Sequence, residues 1–487
     1  MGEIELGYSF DDVLLVPQKS GIVPSEADTR SRLTARIPLN IPIISSAMDT
    51  VSEDVLAIAL AREGGIGVIH RNCTIEKQAE MVARVKRSEN MIISDPFTVT
   101  ADMTIRDLQS VMELRGVNGF PVIDSDGRLR GMVTTRDIWY IEDANTTTVG
   151  EVMTPRERLV TSIADTSLED ARAILYKNRI EKLPLVDEND RLAGLITSQD
   201  IEKRQQFTDA AKDEQGRLRV GAAVGSGEQA LDRARALIQA GTNALFIDAA
   251  TGHTGRVVEL IGQLRELSDE VDVIAGNVVT QEGARDLIDA GAAAIKVGVG
   301  PGSICTTRVI SGVGVPQFSA IQNVAAEARP RGIPVIADGG IRYSGDIVKA
   351  LAAGADSVML GSLLAGTREA PGAMVQHQGR TFKEYRGMGS LKAMRAGSGD
   401  RYGQNSSGKL VAEGVEARVP YRGRLNDVIF QLLGGLRSGM GYVGAQTLDK
   451  LRTDPKFVRI TTGGLRESHP HDITITQEPD NYQSAEV

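Results

Sequence analysis

Short runs of continuously apolar residues recur along the chain, each ending near Gly, Ser, Asp or Asn and each followed by a stretch rich in Ala and Leu. Eight can be marked: Ile43–Ser46, Gly67–His70, Val220–Val224, Ala244–Asp248, Val271–Gly276, Ala294–Gly298, Pro334–Asp338 and Ser357–Leu360. A strand apolar at every position, rather than at every second one, is buried on both faces, as in a parallel sheet covered by helices. Eight βα units in series predict an α/β protein built on a (β/α)8 TIM barrel. The alternative is a doubly wound open sheet. No GxGxxG follows the first strand, and glycines at strand C-termini suit barrel loops.

Between the second and third strands the pattern breaks from about 91 to 204, too long for a barrel loop, and this stretch repeats itself. Phe120-Pro121-Val122-Ile123-Asp124 with Gly131-Met132-Val133-Thr134-Thr135-Arg136-Asp137 returns as Leu183-Pro184-Leu185-Val186-Asp187 with Gly194-Leu195-Ile196-Thr197-Ser198-Gln199-Asp200, at a constant offset of 63. Each copy starts with an extended segment and an amphipathic helix, Ile105–Leu114 or Leu168–Tyr176, giving a β-α-β-β-α unit. The pattern resembles a tandem pair of CBS modules (a Bateman domain), many of which bind adenine nucleotides between the repeats. By that resemblance Thr134 with Asp137, and Thr197 with Asp200, would contact ribose, and ATP or GTP would be the ligand; a purely structural pair is the alternative. The expected division is a catalytic barrel over 1–90 and 205–487 and a regulatory insertion over 91–204.

A second stretch without clear periodicity, about Gln376 to Asp449, is rich in Gly, Arg and Ser. Long loops in compact domains are commonly lids, and the aromatic and basic residues here favour one. The tail beyond Ile475 reads as solvated and disordered at its end.

Composition narrows the function. With 55 Lys and Arg against 64 Asp and Glu, the formal charge is −9, so there is no general pull toward nucleic acid or anionic lipid. A phosphate site must be local. The 487 residues include two cysteines, Cys73 and Cys305, neither in a CxxC pair, which reads as reduced thiols in the cytoplasm. An acidic N-terminus and the lack of a long apolar run speak against a signal peptide and a membrane span.

Chemistry concentrates after the sixth strand, in Gly298-Val299-Gly300-Pro301-Gly302-Ser303-Ile304-Cys305-Thr306-Thr307-Arg308. Catalytic groups of a barrel stand at that end. A lone cysteine among glycines, hydroxyls and an arginine has the setting of an activated nucleophile rather than of an inert core thiol. Cys73, in His70-Arg71-Asn72-Cys73, lacks the glycine framework. The loops after strands seven and eight, Asp338-Gly339-Gly340 and Gly361-Ser362, fit a phosphate held on backbone amides. Asp338 is suited to ribose hydroxyls, or to capping a helix.

The cysteine loop, Tyr385-Arg386-Gly387-Met388-Gly389-Ser390, Asp400-Arg401-Tyr402, Phe10–Pro17, Ser45–Thr50 and Glu467–Asp472 together resemble the IMP dehydrogenase / GMP reductase family over nearly the whole chain. The resemblance implies oxidation of IMP to XMP, with Cys305 attacking C2 of the purine, NAD taking the hydride, and the covalent thioimidate then hydrolysed. Thr307, Arg401 and Tyr402 would serve hydrolysis. IMP would be held by Ser303, Asp338, Gly339, Gly340, Gly361, Ser362, Tyr385, Arg386, Gly387, Met388, Gly389 and Glu413, and NAD by Asp248, Asn277, Gly298, Val299 and Gly300. A potassium ion would sit on carbonyls of Gly300, Gly302 and Cys305, completed by Glu467, Ser468 and His469 of a neighbouring subunit, which implies a homotetramer; pairing into octamers stays open. Two departures stand out: Ala249-Ala250-Thr251-Gly252-His253 where the family commonly has Thr-Ala-His-Gly-His, and Ala412 where a Pro usually precedes Glu413. The rival readings are a GMP reductase, which typically lacks the Arg-Tyr element, and a non-catalytic purine-nucleotide sensor.

Overall fold

The computed structural model describes residues 4–89, 93, 96–164, 166–198, 201, 207–404 and 408–482. The chain divides into two compact units, Met1–Ser88 with Asp209–Val487, and Glu89–Thr208.

In the first unit, eight parallel strands form one sheet: Ile43–Ser45, Gly67–Ile69, Val220–Val224, Ala244–Ile247, Asp272–Val278, Ala294–Val297, Val335–Asp338 and Ser357–Leu360. All eight are the runs marked in the sequence, with ends shifted by up to two residues. Seven junctions pair at three or more positions. The eighth, between the first and second strands, pairs only at Ile44 with Ile66. There Ser45 N donates to Ile66 O at 3.1 Å and Ile66 N to Ile43 O at 3.2 Å, and the next rung is a side chain, Val68 N donating to Ser45 Oγ at 3.3 Å. These bonds close the sheet into a TIM barrel. Its interior is a buried apolar cluster of Ile44, Val68, Phe246, Ile274, Ile336 and Met359, joined by Leu33, Ile37 and Leu39 from the segment preceding the first strand.

The 376–449 stretch corrects one expectation. It is not one irregular lid: Met374–His377, Arg380–Arg386 and Glu416–Pro420 form an antiparallel sheet, and Leu425–Tyr442 is an 18-residue helix packed on helix Ser344–Ala352. Four glycines, Gly434, Gly435, Gly439 and Gly441, blur its apolar periodicity in sequence. The lid proper is the part between these elements, with short helix Leu391–Arg395 and the 3-10 turn Ser398–Tyr402. The end of the tail, 483–487, lies outside the described residues, and the part before it is largely exposed, as expected, but makes contact with the barrel unit. Tyr482 stacks on Tyr343 at 6.0 Å between ring centroids and its hydroxyl lies 3.1 Å from His469 Nδ1.

In the second unit each repeat buries its own core, Phe120, Val122 and Val133 in one, Leu183, Leu185 and Ile196 in the other. The copies meet reciprocally: Leu129 N donates to Asp190 O and Leu192 N to Gly127 O, both at 3.0 Å, around a bridge of Arg128 with Arg191. Each of these residues is 63 positions from its counterpart. Among the described residues no helix is long and apolar enough to cross a membrane, and no group of three or more His, Cys, Asp or Glu is placed to hold a metal ion.

Candidate active site

A cavity of about 360 Å³ opens at the C-terminal ends of the strands. Side chains there are carried by loops, which can vary without disturbing the barrel beneath. The sixth-strand loop contributes Gly298, Gly300, Gly302, Ser303 and Cys305; the seventh and eighth contribute Asp338, Gly339, Gly340, Gly361 and Ser362. Tyr385, Gly387, Met388, Gly389, Arg401, Tyr402 and Glu413 close it from the lid side, and Asp248 and Asn277 from the fourth and fifth strands. Gly339 and Gly340 have φ of 92° and 79°, the left-handed region where a side chain is strained, so the sequence at this turn is dictated by backbone. At Gly361 a Cβ would stand 2.8 Å from Tyr385 Oη.

Cys305 is half-buried and unbridged. Its Sγ donates to Thr307 Oγ1 at 3.2 Å. Arg308, which sequence placed beside the thiol, stands within electrostatic reach of it and also ties down the loop, its Nε donating to Val299 O at 3.0 Å and its Nη2 to Val315 O at 2.5 Å. The loop is pinned to the lid through main chain, Thr306 N to Glu413 O and Val415 N to Ile304 O, and within the lid Glu413 N bonds to Gly389 O, each at 3.0 Å. Glu413 therefore reaches the site as backbone as much as side chain.

Polar order at the cavity floor comes from Lys296, which sequence reasoning missed. Its ammonium donates to Asn277 Oδ1 and, at 3.1 Å, to Asp338 Oδ2. Asn277 Nδ2 donates to the same Asp338 oxygen at 3.0 Å and to Gly298 O at 2.7 Å. Gln317 Nε2 donates to Val297 O and Asp338 O. The one trace in sequence was a lysine inside an otherwise apolar strand. Ser46, Met48 and the N-terminal Ser9–Asp11 also line the cavity, and Asp11 pairs with Arg342 beyond the seventh strand.

On the lid side Arg401 pairs with Asp248. Burial pushes the Asp248 carboxyl up, but Arg401, Arg71 and Lys296 outweigh it and hold it below the usual carboxylate range. Burial works against the Arg401 charge too, and Asp248 more than compensates, so that guanidinium is held above its ordinary value. Burial also raises the Tyr402 hydroxyl, against the pull of Arg401, whose Cζ lies 6.0 Å from the ring centroid.

Several expected residues stand elsewhere. Arg386 is outside the cavity lining, its guanidinium forked onto Asp49 at 2.5–3.2 Å. Val299 contributes its carbonyl to Arg308 rather than a cavity surface. Glu467, Ser468 and His469, which were expected to act from a neighbouring subunit, end the helix Thr462–Glu467 outside this chain's own cavity lining, as that expectation requires. Cys73 lies outside it as well, its thiol pushed up by burial. In the repeats, Thr134 N and Oγ1 both donate to Asp137 Oδ2 at 2.7 Å, so the pair caps a short helix. Asp200, the partner expected for Thr197, lies outside the described residues.

Residues 7–471 match the family model of the IMP dehydrogenase / GMP reductase domain. The chain belongs to the IMP dehydrogenase / GMP reductase family. It is 56% identical over 482 residues to an inosine-5'-monophosphate dehydrogenase of Aquifex aeolicus, covering 99% of this chain and 98% of that one. It is 52% identical over 478 residues to the one of Bacillus subtilis, covering 98% of each. Among solved structures, a cysteine-to-alanine variant of GMP reductase from Trypanosoma brucei, in complex with guanosine 5'-monophosphate, superposes with a TM-score of 0.90 at 41% identity, covering 97% of this chain and 99% of that one. Within the family, then, this chain shares its architecture with a reductase and more of its sequence with dehydrogenases.

Proposed function

We propose that the protein oxidises IMP to XMP with NAD as hydride acceptor, through a covalent intermediate on Cys305. The observation that carries this reading is the meeting, in one cavity, of the Cys305 loop with Arg401 and Tyr402 from the lid. A covalent purine adduct needs a thiolate to form and a water-handling group to resolve it. The reductase reading needs only the first, and the closer identity to dehydrogenases favours the second being used.

The geometry supports the following residue roles. Cys305 Sγ, its proton released to solvent, attacks C2 of the purine as the thiolate, and Thr307, whose Oγ1 accepts a hydrogen bond from the thiol at 3.2 Å, serves the hydrolysis that follows. NAD, when bound, would supply the acceptor for the hydride that leaves C2. The ribose falls to Asp338, oriented by Lys296 and Asn277, and the phosphate to the amides around Gly339, Gly340, Gly361 and Ser362, with Ser303 and Tyr385 facing them. Asp248 and Asn277 serve the dinucleotide. Tyr402 and Arg401 serve hydrolysis. With Asp248 beside it Arg401 stays protonated, which suits orienting water and stabilising developing negative charge; to take a proton it must first leave Asp248.

For a monovalent cation, carbonyls of Gly300, Gly302 and Cys305 offer the hard oxygen donors potassium prefers. Gly302 O already accepts from Cys305 N at 3.0 Å and keeps a second lone pair. Glu467, Ser468 and His469 of a second copy would complete the shell, in a homotetramer. The paired repeats fit a CBS regulatory insertion that takes a purine nucleotide.

The test is NADH absorbance with IMP, NAD and potassium, beside a Cys305→Ala variant. NADH formed by the parent and reduced by about a thousandfold or more in the variant supports the assignment. NADPH consumption driven by GMP moves it to the reductase.

A further inference from the structure

The Arg401–Asp248 pair is half of a longer arrangement. Asp248 Oδ2 also accepts from Arg71 Nε at 3.1 Å, and Arg71 Nη1 donates to both carboxylate oxygens of Asp400, at 2.9 and 3.0 Å. The four side chains form a row of alternating charge: Asp400, Arg71, Asp248, Arg401. The outer two are sequence neighbours on the lid turn Ser398–Tyr402. The inner two belong to the barrel, Arg71 just past the second strand and Asp248 just past the fourth. A lid dipeptide of opposite charges thus interdigitates with a barrel pair of opposite charges, and docking adds no net charge to the site.

Three features show that this contact is built. The Arg71 and Asp248 side chains are 8% and 7% exposed, so each charge is held away from water and depends on its neighbours. The Asp400 carboxylate rests against the loop after the third strand, where a Cβ at Gly225 or Gly227 would come within 3.1 or 3.3 Å of Oδ2. Among the described residues Arg71 Nη2 is buried without a hydrogen-bond partner, and the other guanidinium nitrogens bond to Asp248 and to the lid's Asp400.

We propose that Arg71 and Asp400 are positioning residues that latch the lid in the arrangement which brings Arg401 and Tyr402 into the reaction cavity. This rests on the reading that Asp248 serves the dinucleotide and the Arg-Tyr pair serves hydrolysis. A dinucleotide that claims Asp248 must displace the lid, so latch strength sets the balance between two competing occupants. Weakening the latch therefore has effects of opposite sign. Hydrolysis slows, and the dinucleotide binds more readily because its rival is weaker.

Asp400→Asn and Arg71→Met in the full chain, followed by rapid-mixing NADH absorbance with IMP, test the latch. The first turnover should keep its maximal rate within about twofold, while the steady rate falls about fivefold and a burst appears, the size expected of a partly buried charge-assisted pair. In Asp400→Asn the NAD concentration for half-maximal first turnover should fall by a similar factor. Arg71→Lys, which keeps the charge without the fork, should recover part of the steady rate. First-turnover and steady rates falling together, or a higher NAD requirement in Asp400→Asn, would mean general damage and overturn the latch. A parent that makes no NADH from IMP overturns the underlying reading before any variant is compared.

Discussion

Lys296 is 5% exposed in the middle of an apolar strand, and its ammonium is tolerated there because Asn277 and Asp338 surround it. Lys296→Met keeps the volume, strips Asn277 Oδ1 of its donor and, among the described residues, leaves the Asp338 carboxylate with Asn277 Nδ2 alone. The expected loss is about 2–3 kcal/mol, toward the low side for a broken buried pair because the Asp338 side chain keeps 19% exposure. It should read as a lower urea midpoint, together with an IMP KM raised about tenfold as Asp338 loses its aim; an unchanged KM would remove Lys296 from the substrate side. Cys305, Asp338 and the paired glycines were legible in sequence because their chemistry is local, a loop of contiguous residues at a strand end. Lys296 and Arg71 were not. Their meaning lies in partners 42 and 177 positions away, and no local pattern carries such a pairing.

Elements were legible where their burial was uniform. Strands covered on both faces announce themselves as unbroken apolar runs, whereas helix Leu425–Tyr442 contacts its neighbour partly through glycine and so shows little periodicity. A Cβ at Gly435 would stand 2.1 Å from Ser344 Oγ and 2.4 Å from Ser344 Cβ. Gly435→Ala should therefore destabilise the barrel unit by about 1–3 kcal/mol through overpacking, and adding Ser344→Gly should restore most of it; a neutral thermal shift in the single variant would show that the helices can part. Helix Asp54–Arg62 is anchored at its start by Glu53, which lies 3.3 Å from both His70 Nε2 and Lys77 Nζ. The His70 bond, followed by Lys77 and against burial, holds the Glu53 carboxyl below its usual value. A depressed carboxylate contributes stability above its unfolded pKa and loses it as pH falls through the folded value. Glu53→Gln should cost about 0.5–1 kcal/mol near neutrality, after solvent screening. The gap in melting temperature from the parent should narrow as pH falls below about 4.3, the free glutamate value, and close once the folded carboxyl is protonated; a gap constant with pH would mean a steric effect instead.

At the scale of the molecule, the repeat made the insertion visible in sequence at 91–204, and the compact unit spans Glu89–Thr208. The barrel unit holds its two cut ends together without it: Lys86 Nζ donates to Asp213 Oδ2 at 2.8 Å and Ala211 N to Ala61 O at 2.7 Å. Joining Ser88 to Asp209 by a short Gly-Ser link should leave NADH formation within about twofold of the parent, since an insertion tied at two adjacent surface points is removable; an unfolded product would show that the insertion supports the barrel. The barrel itself is uneven. Seven of its joints are full ladders and the joint between its first and second strands is not, with a serine hydroxyl standing in for backbone on one rung. A ring with one weaker joint yields there before anywhere else. Ser46 and Met48 follow one side of that joint and Arg71 the other, so residues lining the substrate cavity and the anchor of the lid's clasp face each other across the least laddered joint of the barrel.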